Sequence, residues 1–297
     1  MLASMYSGIS GMKNFQQKLD VTGNNLANVN TFGFKKGRAT FKDMVSQQIA
    51  GATGPTETAG GSNAMQVGLG SQMGSIDTVH TQGSLQNTNR DLDFGISGDG
   101  FFSVAELNDG NTDDTWDGGV QGDQVTTNYT RAGNFYLDEE GYVVNQDGKY
   151  LMGADTDDGN YGRINIPTDA DSFSVGSDGT VSYQQDGNLE EAGQVLMATF
   201  PNPEGLTKIG NNLFQTSDNS GNVGGVDPAG LGNAFEAYTN PGADGAGELV
   251  AGTLEMSNVD MSEEFTEMIT AQRGFQANTR GITTADEVLQ ELMNLKR

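Results

Sequence analysis

Few residues in this chain could carry chemistry. Cysteine is absent, which removes thiolate nucleophiles, thiolate metal ligands and disulfides. His80 is the only histidine, so multi-histidine metal motifs are excluded and imidazole acid–base work has one candidate. It stands in Ile76-Asp77-Thr78-Val79-His80-Thr81, an alternating pattern that puts Ile76, Thr78 and His80 on one strand face. That context predicts a satisfied strand histidine rather than a base. Acids abound, with 40 Asp and Glu against 15 Lys and Arg. Asp155-Thr156-Asp157-Asp158-Gly159 is the best calcium candidate. An EF-hand loop needs Gly at position 6 and a bidentate Glu at position 12. Counted from Asp155, Gly falls at position 5 and Ile166 at position 12. Adjacent acids such as Glu139/Glu140 and Glu190/Glu191 follow from composition and mark no glycosidase pair. Neither a Gly-x-Ser-x-Gly elbow nor a Gly-x-x-x-x-Gly-Lys phosphate loop occurs. The residues therefore point to no catalytic, cofactor-binding or metal-binding site, and to a protein that is not an enzyme.

Architecture is what remains. The 297 residues carry a formal net charge of −25, unevenly spread. Residues 1–44 have six basic and two acidic side chains, residues 259–297 four and seven, and residues 45–258 five and 31. So acidic a surface is solvated and excludes a nucleic-acid binder. No apolar run approaches the ~18 residues of a membrane span. Met1-Leu2-Ala3-Ser4-Met5-Tyr6 lacks the charged and apolar regions of a cleavable secretory signal.

Both ends read as helices. Leu2, Met5, Ile9, Met12, Gln16, Leu19, Gly23 and Leu26 lie on one line at alternating steps of three and four. Met261, Phe265, Met268, Gln272, Phe275, Thr279, Ile282, Asp286, Leu289 and Leu292 step likewise by four and three, and most residues on both lines are apolar. A period of 3.5 predicts a coiled-coil seam. Asp260 followed by Glu263 reads as an N-cap with its reciprocal partner. Gly8, Gly11, Gly23, Gly274 and Gly281 interrupt these helices, each costing about 1 kcal/mol against Ala. The two helices are expected to order only against each other and against neighbours.

Between them the pattern changes. Asp-Gly occurs at Asp99, Asp109, Asp117, Asp147, Asp158, Asp178, Asp186 and Asp244, each a hairpin signal for a type I′ turn. Short β-rich runs separate these turns: 101–104, 135–137, 142–144, 163–166, 173–175, 180–183 and 195–200. The expected fold is α+β, with terminal helices pairing as a coiled coil around one antiparallel all-β domain. The boundaries are 1–45 for the N-terminal helix and the segment after it, 46–64 for an extended linker, 65–256 for the β domain and 257–297 for the C-terminal helix. Residues 108–124, with the only tryptophan, Trp116, form a long acidic loop.

The segment Leu19-Asp20-Val21-Thr22-Gly23-Asn24-Asn25-Leu26-Ala27-Asn28-Val29-Asn30-Thr31-Phe32-Gly33-Phe34-Lys35-Lys36 resembles the N-terminal signature of bacterial flagellar rod and hook proteins. Asn24, Asn25, Ala27, Asn28, Gly33 and Phe34 carry its centre. The likeness runs through Thr88-Asn89-Arg90-Asp91-Leu92-Asp93-Phe94, Gly98-Asp99-Gly100-Phe101-Phe102, Tyr129-Thr130-Arg131-Ala132-Gly133-Asn134-Phe135 and Glu255-Met256-Ser257-Asn258-Val259-Asp260. Met268-Ile269-Thr270-Ala271-Gln272-Arg273-Gly274-Phe275 extends it into the C-terminal helix. Residues 108–124 look inserted, and Asn89 stands where the family often has Gly. The resemblance implies a structural subunit without cofactor, exported unfolded through the flagellar type III apparatus. It then polymerises into a hollow tube, paired helices inside and β domain outside. The opening, Met5-Tyr6-Ser7-Gly8-Ile9-Ser10-Gly11-Met12-Lys13-Asn14-Phe15, is most similar to the short hook-type members, which implies a bendable joint passing torque from rod to filament. The alternative is the distal rod, a rigid drive shaft. Implied partners are other copies of the chain, the hook cap, the distal rod, the hook–filament junction protein and the export apparatus, with no nucleic acid and no membrane. The implied place is the hook or basal body, outside the cytoplasmic membrane. Phe41 and Val45 are similar to the Phe-x-x-x-apolar export signal of such substrates.

Overall fold

Helix α1 spans Leu2–Ala27 and helix α2 spans Met261–Leu295. The computed structural model describes residues 2–55, 60–107, 115–116, 125–154, 161–225, 238–243 and 245–295. The calcium candidate at 155–159, most of the 108–124 loop and Asp244 lie outside that set, as do the side chains of Leu2, Trp116 and Leu292. Asp260 caps α2, its Oδ1 accepting from the backbone N–H groups of Ser262 (2.8 Å) and Glu263 (3.2 Å). Glu263 does not close a capping box; its carboxylate pairs with Lys36 at 2.9 Å. At the other boundary Asn28 donates to the Asn24 carbonyl twice, from its backbone N–H (3.2 Å) and from its side-chain Nδ2 (2.9 Å), which fastens the last turn of α1.

The strands in chain order are β1 (Gly37–Asp43), β2 (Ser46–Ala50), β3 (Met65–Gly68), β4 (Ser71–Thr78), β5 (Leu85–Asn87), β6 (Phe94–Ser97) and β7 (Phe101–Leu107). Then come β8 (Thr115–Trp116), β9 (Val125–Thr130), β10 (Tyr136–Leu137), β11 (Val143–Val144), β12 (Tyr150–Ala154), β13 (Tyr161–Arg163) and β14 (Ser172–Val175). The last are β15 (Thr180–Gln185), β16 (Asn188–Val195), β17 (Met197–Ala198), β18 (Thr207–Gly210), β19 (Leu213–Gln215), β20 (Glu248–Ala251) and β21 (Thr253–Glu255).

The chain forms two compact units, residues 1–28, 36–79 and 259–297 in one, and residues 29–35 and 80–258 in the other. In the helical unit α1 packs along α2, and β1 pairs antiparallel with β4, from Gly37 opposite Thr78 to Asp43 opposite Ser71. Strands β2 and β3 continue this ribbon, Ser46 opposite Gly68, with a further bridge between Thr53 and Ser62. Residues 46–64, expected as an extended linker, thus form part of a hairpin, and 65–79 group with the helices. The reason is physical: all five residues of β2 and all four of β3 are exposed. A strand with no buried face carries no alternating pattern to read.

Among the described residues the β unit holds a 13-stranded antiparallel sheet whose main path runs β14-β15-β16-β12-β7-β9-β19-β18, together with the pairs β20–β6 and β21–β5. Phe94, Phe102, Phe135, Leu151, Ile164 and Val195 fill its main core, and Phe102 meets Phe135 edge to face at 5.5 Å. Phe101, Tyr129, Phe200, Leu206 and Phe214 form a second cluster. Of the Asp-Gly pairs in described residues, Asp186-Gly187 makes the expected type I′ turn. Both residues have positive φ (50° and 83°), and Gln185 pairs with Asn188 across it. At Asp147 and Asp178 only the following glycine is left-handed, so those turns are of other types. Strand β4 ends at Thr78, which leaves His80 beyond the strand expected to hold it.

Candidate assembly surfaces

In the helical unit the two helices run antiparallel, and Gly8, Gly11 and Gly274 lie where one helix meets the other. A Cβ on Gly8 would come within 3.2 Å of Ile282, on Gly11 within 2.8 Å of the Asn278 amide, and on Gly274 within 2.5 Å of the Phe15 ring. These glycines let the helix axes approach. Gly23 and Gly281 face open space. The Thr279 hydroxyl donates to Met12 Sδ (3.3 Å), and Lys18 pairs with Glu267 (3.4 Å). Further along the helix pair Asn25 is 2 % exposed and Glu264 4 %. Asn25 Nδ2 donates to both Glu264 oxygens (3.3 and 3.2 Å) and to the Gly37 carbonyl (2.9 Å), and its Oδ1 accepts from Gly37 N–H (2.9 Å). One signature amide therefore ties α1, α2 and β1 together. Burial raises the Glu264 pKa, Asn25 opposing it.

Of the predicted seam residues, Met5, Met12, Leu19, Leu26, Met268, Phe275, Ile282 and Leu289 are half-buried, while Ile9 and Phe265 stay exposed. The contact line on α2 runs through Glu264, Met268, Ala271, Phe275, Asn278, Ile282, Ala285 and Leu289, so polar and small side chains share it. Met261, Phe265 and Ile269 form an exposed apolar row on another face of α2. The β ribbon adds exposed Phe41, Val45 (79 %), Ile49, Met65 and Val67. Phe41 and Val45, the predicted export signal, lie in and just after β1. Asn24 and Ala27 of the signature are exposed at the end of α1.

The β unit holds a buried ionic cluster. Glu255 Oε1 accepts from Lys35 Nζ (2.6 Å) and from Gly83 N–H (2.9 Å), and Oε2 accepts from Arg131 Nη1 (3.2 Å). Lys35 also donates to the Thr81 carbonyl (2.9 Å) and Arg131 to the Gly98 carbonyl (2.9 Å). All three side chains are almost fully buried. Burial lowers the Lys35 pKa, partly opposed by Glu255. Gly33 N–H donates to the Glu255 carbonyl (2.8 Å). Its φ is +67°, and a Cβ there would lie 2.5 Å from Ala132 N. Phe34 is buried, with Lys208 Nζ 5.0 Å over its ring. Three separate motifs of the sequence meet here: Gly33–Lys35, the Arg131 segment and the Glu255 segment. Sequence reasoning singled out Gly33 and Phe34 but missed the charged trio, whose members come together only in the folded chain. Among the described residues no group of three or more potential metal ligands occurs, and no helix is long and apolar enough to cross a membrane.

All three motifs lie in regions that match known protein families. The "Flagella basal body rod protein" family matches residues 5–35, the "Flagellar hook protein FlgE/F/G D1 domain" family residues 95–183, and the "Flagellar basal body rod FlgEFG protein C-terminal" family residues 250–295. The flagellar basal-body rod protein FlgG of Bacillus subtilis (strain 168) is 53 % identical over 298 residues, covering all of both chains. The chain belongs to the flagellar basal-body rod and hook family. The rod protein FlgG of Borreliella burgdorferi is 35 % identical over 303 residues, and the hook protein FlgE of the same organism 31 % over 454, both covering all of each chain. The protein is accordingly a structural component of the flagellum, in its hook or basal body, and not an enzyme. Rod and hook proteins of this family self-assemble. Asn89 has a φ of +54°, a left-handed conformation that Asn tolerates, and its N–H bonds to Asn87 Oδ1 (2.9 Å).

Proposed function

We propose that this chain is a rod subunit of the flagellar basal body, a rigid drive shaft, rather than the hook subunit that its opening residues suggested. The carrying observation is length. Against the Bacillus subtilis rod protein the whole of both chains aligns in 298 positions. Against the hook proteins of Borreliella burgdorferi and Treponema pallidum the alignment needs 454 and 477 positions, leaving well over a hundred residues of each hook protein opposite a gap. In this reading α1 and α2 pair in coiled-coil fashion, and the exposed rows on α2 and on the β1–β4 ribbon meet neighbouring copies. Contacts of that kind between identical subunits that do not close on themselves build a helical tube. The domain reading is kept as part of the proposal, terminal helices toward the axis and β unit outward. Export through the type III apparatus, with Phe41 and Val45 as signal, and contact with the hook at the end of the shaft belong to the same proposal.

Antibody labelling of purified hook–basal bodies under the electron microscope tests it. Label on the straight shaft is the expected result. Label along the curved external segment would overturn the rod reading and restore the hook.

A further inference from the structure

The β unit contains a cavity of about 340 Å³ that the tube reading leaves without a role. His80, Asp99, Phe101, Arg131, Phe200 and Pro203 are among its walls. Two of those walls carry unsatisfied polar atoms. Arg131 is 3 % exposed; both Nη atoms are engaged, but Nε has no acceptor. Neither ring nitrogen of His80 closes a hydrogen bond, although the Pro203 carbonyl stands beside the ring. Buried polar atoms are normally paired, so these mark a place for a ligand acceptor.

The local charge says which kind. The His80 ring lies 5.5 Å from Phe101, under Arg131, and 5.5 Å from Phe214, under Lys208. Lys35, Arg131 and Lys208 all act on the imidazole. Against these three cations stands the buried Glu255; among the described residues Asp99, which is exposed, is the one acid in the cavity wall. A cation would be repelled here. A planar carboxylate offers acceptors to the guanidinium N–H and the imidazole N–H, and the Phe and Pro walls suit a methylene stem. We propose that this cavity is a carboxylate-binding site, and that in the assembled structure it takes an Asp or Glu side chain from a second copy of the chain. A chain of net charge −25 that self-assembles brings many such groups to its neighbours. The choice of donor rests on that assembly; the site itself does not.

The single histidine provides the readout, since its imidazole resonances are unambiguous in the full-length chain. Succinate, titrated at fixed pH and ionic strength, is expected to shift them saturably and to raise the imidazole pKa from about 4 by about one unit. Chloride at matched ionic strength is expected to do neither. Lys208→Gln removes one cation, leaves the Arg131–Glu255 contact, and is expected to weaken the succinate response about threefold. In polymerised protein, solid-state spectra are expected to show the shifted His80 signal without succinate, and added succinate to slow assembly. A succinate response no larger than that of chloride overturns the site. A normal succinate response with an unshifted signal in the polymer overturns the second copy as donor. Neither result depends on whether the polymer is rod or hook.

Discussion

Glu255 is one carboxylate shared by two buried cations and a backbone N–H. Such a cluster is weak as a source of stability but costly to break, because removing one partner strands the others. Glu255→Ala is expected to cost about 3–5 kcal/mol, read as a fall in the urea midpoint, and Glu255→Gln less, since its amide oxygen still accepts a bond. His80 makes a second prediction. Burial, with Lys35, Arg131 and Lys208, lowers its pKa from 6.5 to about 4. Below pH 6.5 the unfolded chain takes a proton that the folded chain refuses until about pH 4. Stability should therefore fall as pH drops through that window, by up to about 3 kcal/mol. Urea titrations across that range should show the fall in the native chain and a flatter profile in His80→Phe. An equal slope in both would show that another group controls it.

At the scale of elements, the helix glycines separate into two kinds that the sequence could not tell apart. Gly281 faces open space, so Gly281→Ala should raise stability by about 0.5–1 kcal/mol through helix propensity. Gly274→Ala meets the Phe15 ring and should lower it by about 1 kcal/mol despite the same propensity gain. Thermal melts followed at 222 nm would reveal the opposite signs. Both helices were legible because an apolar 3.5-residue rhythm reports a buried face. The true contact line was less so, because Glu264, Ala271 and Asn278 share it and leave no hydrophobic mark. The sheet was legible at its turns, Asp186-Gly187 most clearly. Strands β2 and β3 were invisible because they bury nothing. The ionic cluster was hidden for another reason: Lys35, Arg131 and Glu255 are about a hundred or more positions apart, and only tertiary folding joins them.

At the scale of the whole molecule, charge sets the conditions of assembly. Subunits of net charge −25 repel one another over the Debye length, which shrinks from about 30 Å at 0.01 M salt to 3 Å at 1 M. Polymerisation followed by light scattering should therefore start sooner as sodium chloride rises. Making Leu289 and Leu292 polar should abolish it at every salt concentration while near-ultraviolet dichroism of the β unit persists; normal assembly of that variant would remove the seam from the proposal.

The chain also fastens its own neck. Gly33 N–H bonds the Glu255 carbonyl at 2.8 Å, and Asn258 N–H the Phe34 carbonyl at 3.4 Å, so the first and last segments of the β unit are tied side by side. Everything between them is a closed excursion whose two ends are fixed in common. Lengthening such an excursion costs only logarithmically in closure entropy, and it leaves the knot where it is. A lineage can thus enlarge the middle of the protein without renegotiating its ends. The neck makes size a freely variable property of these subunits.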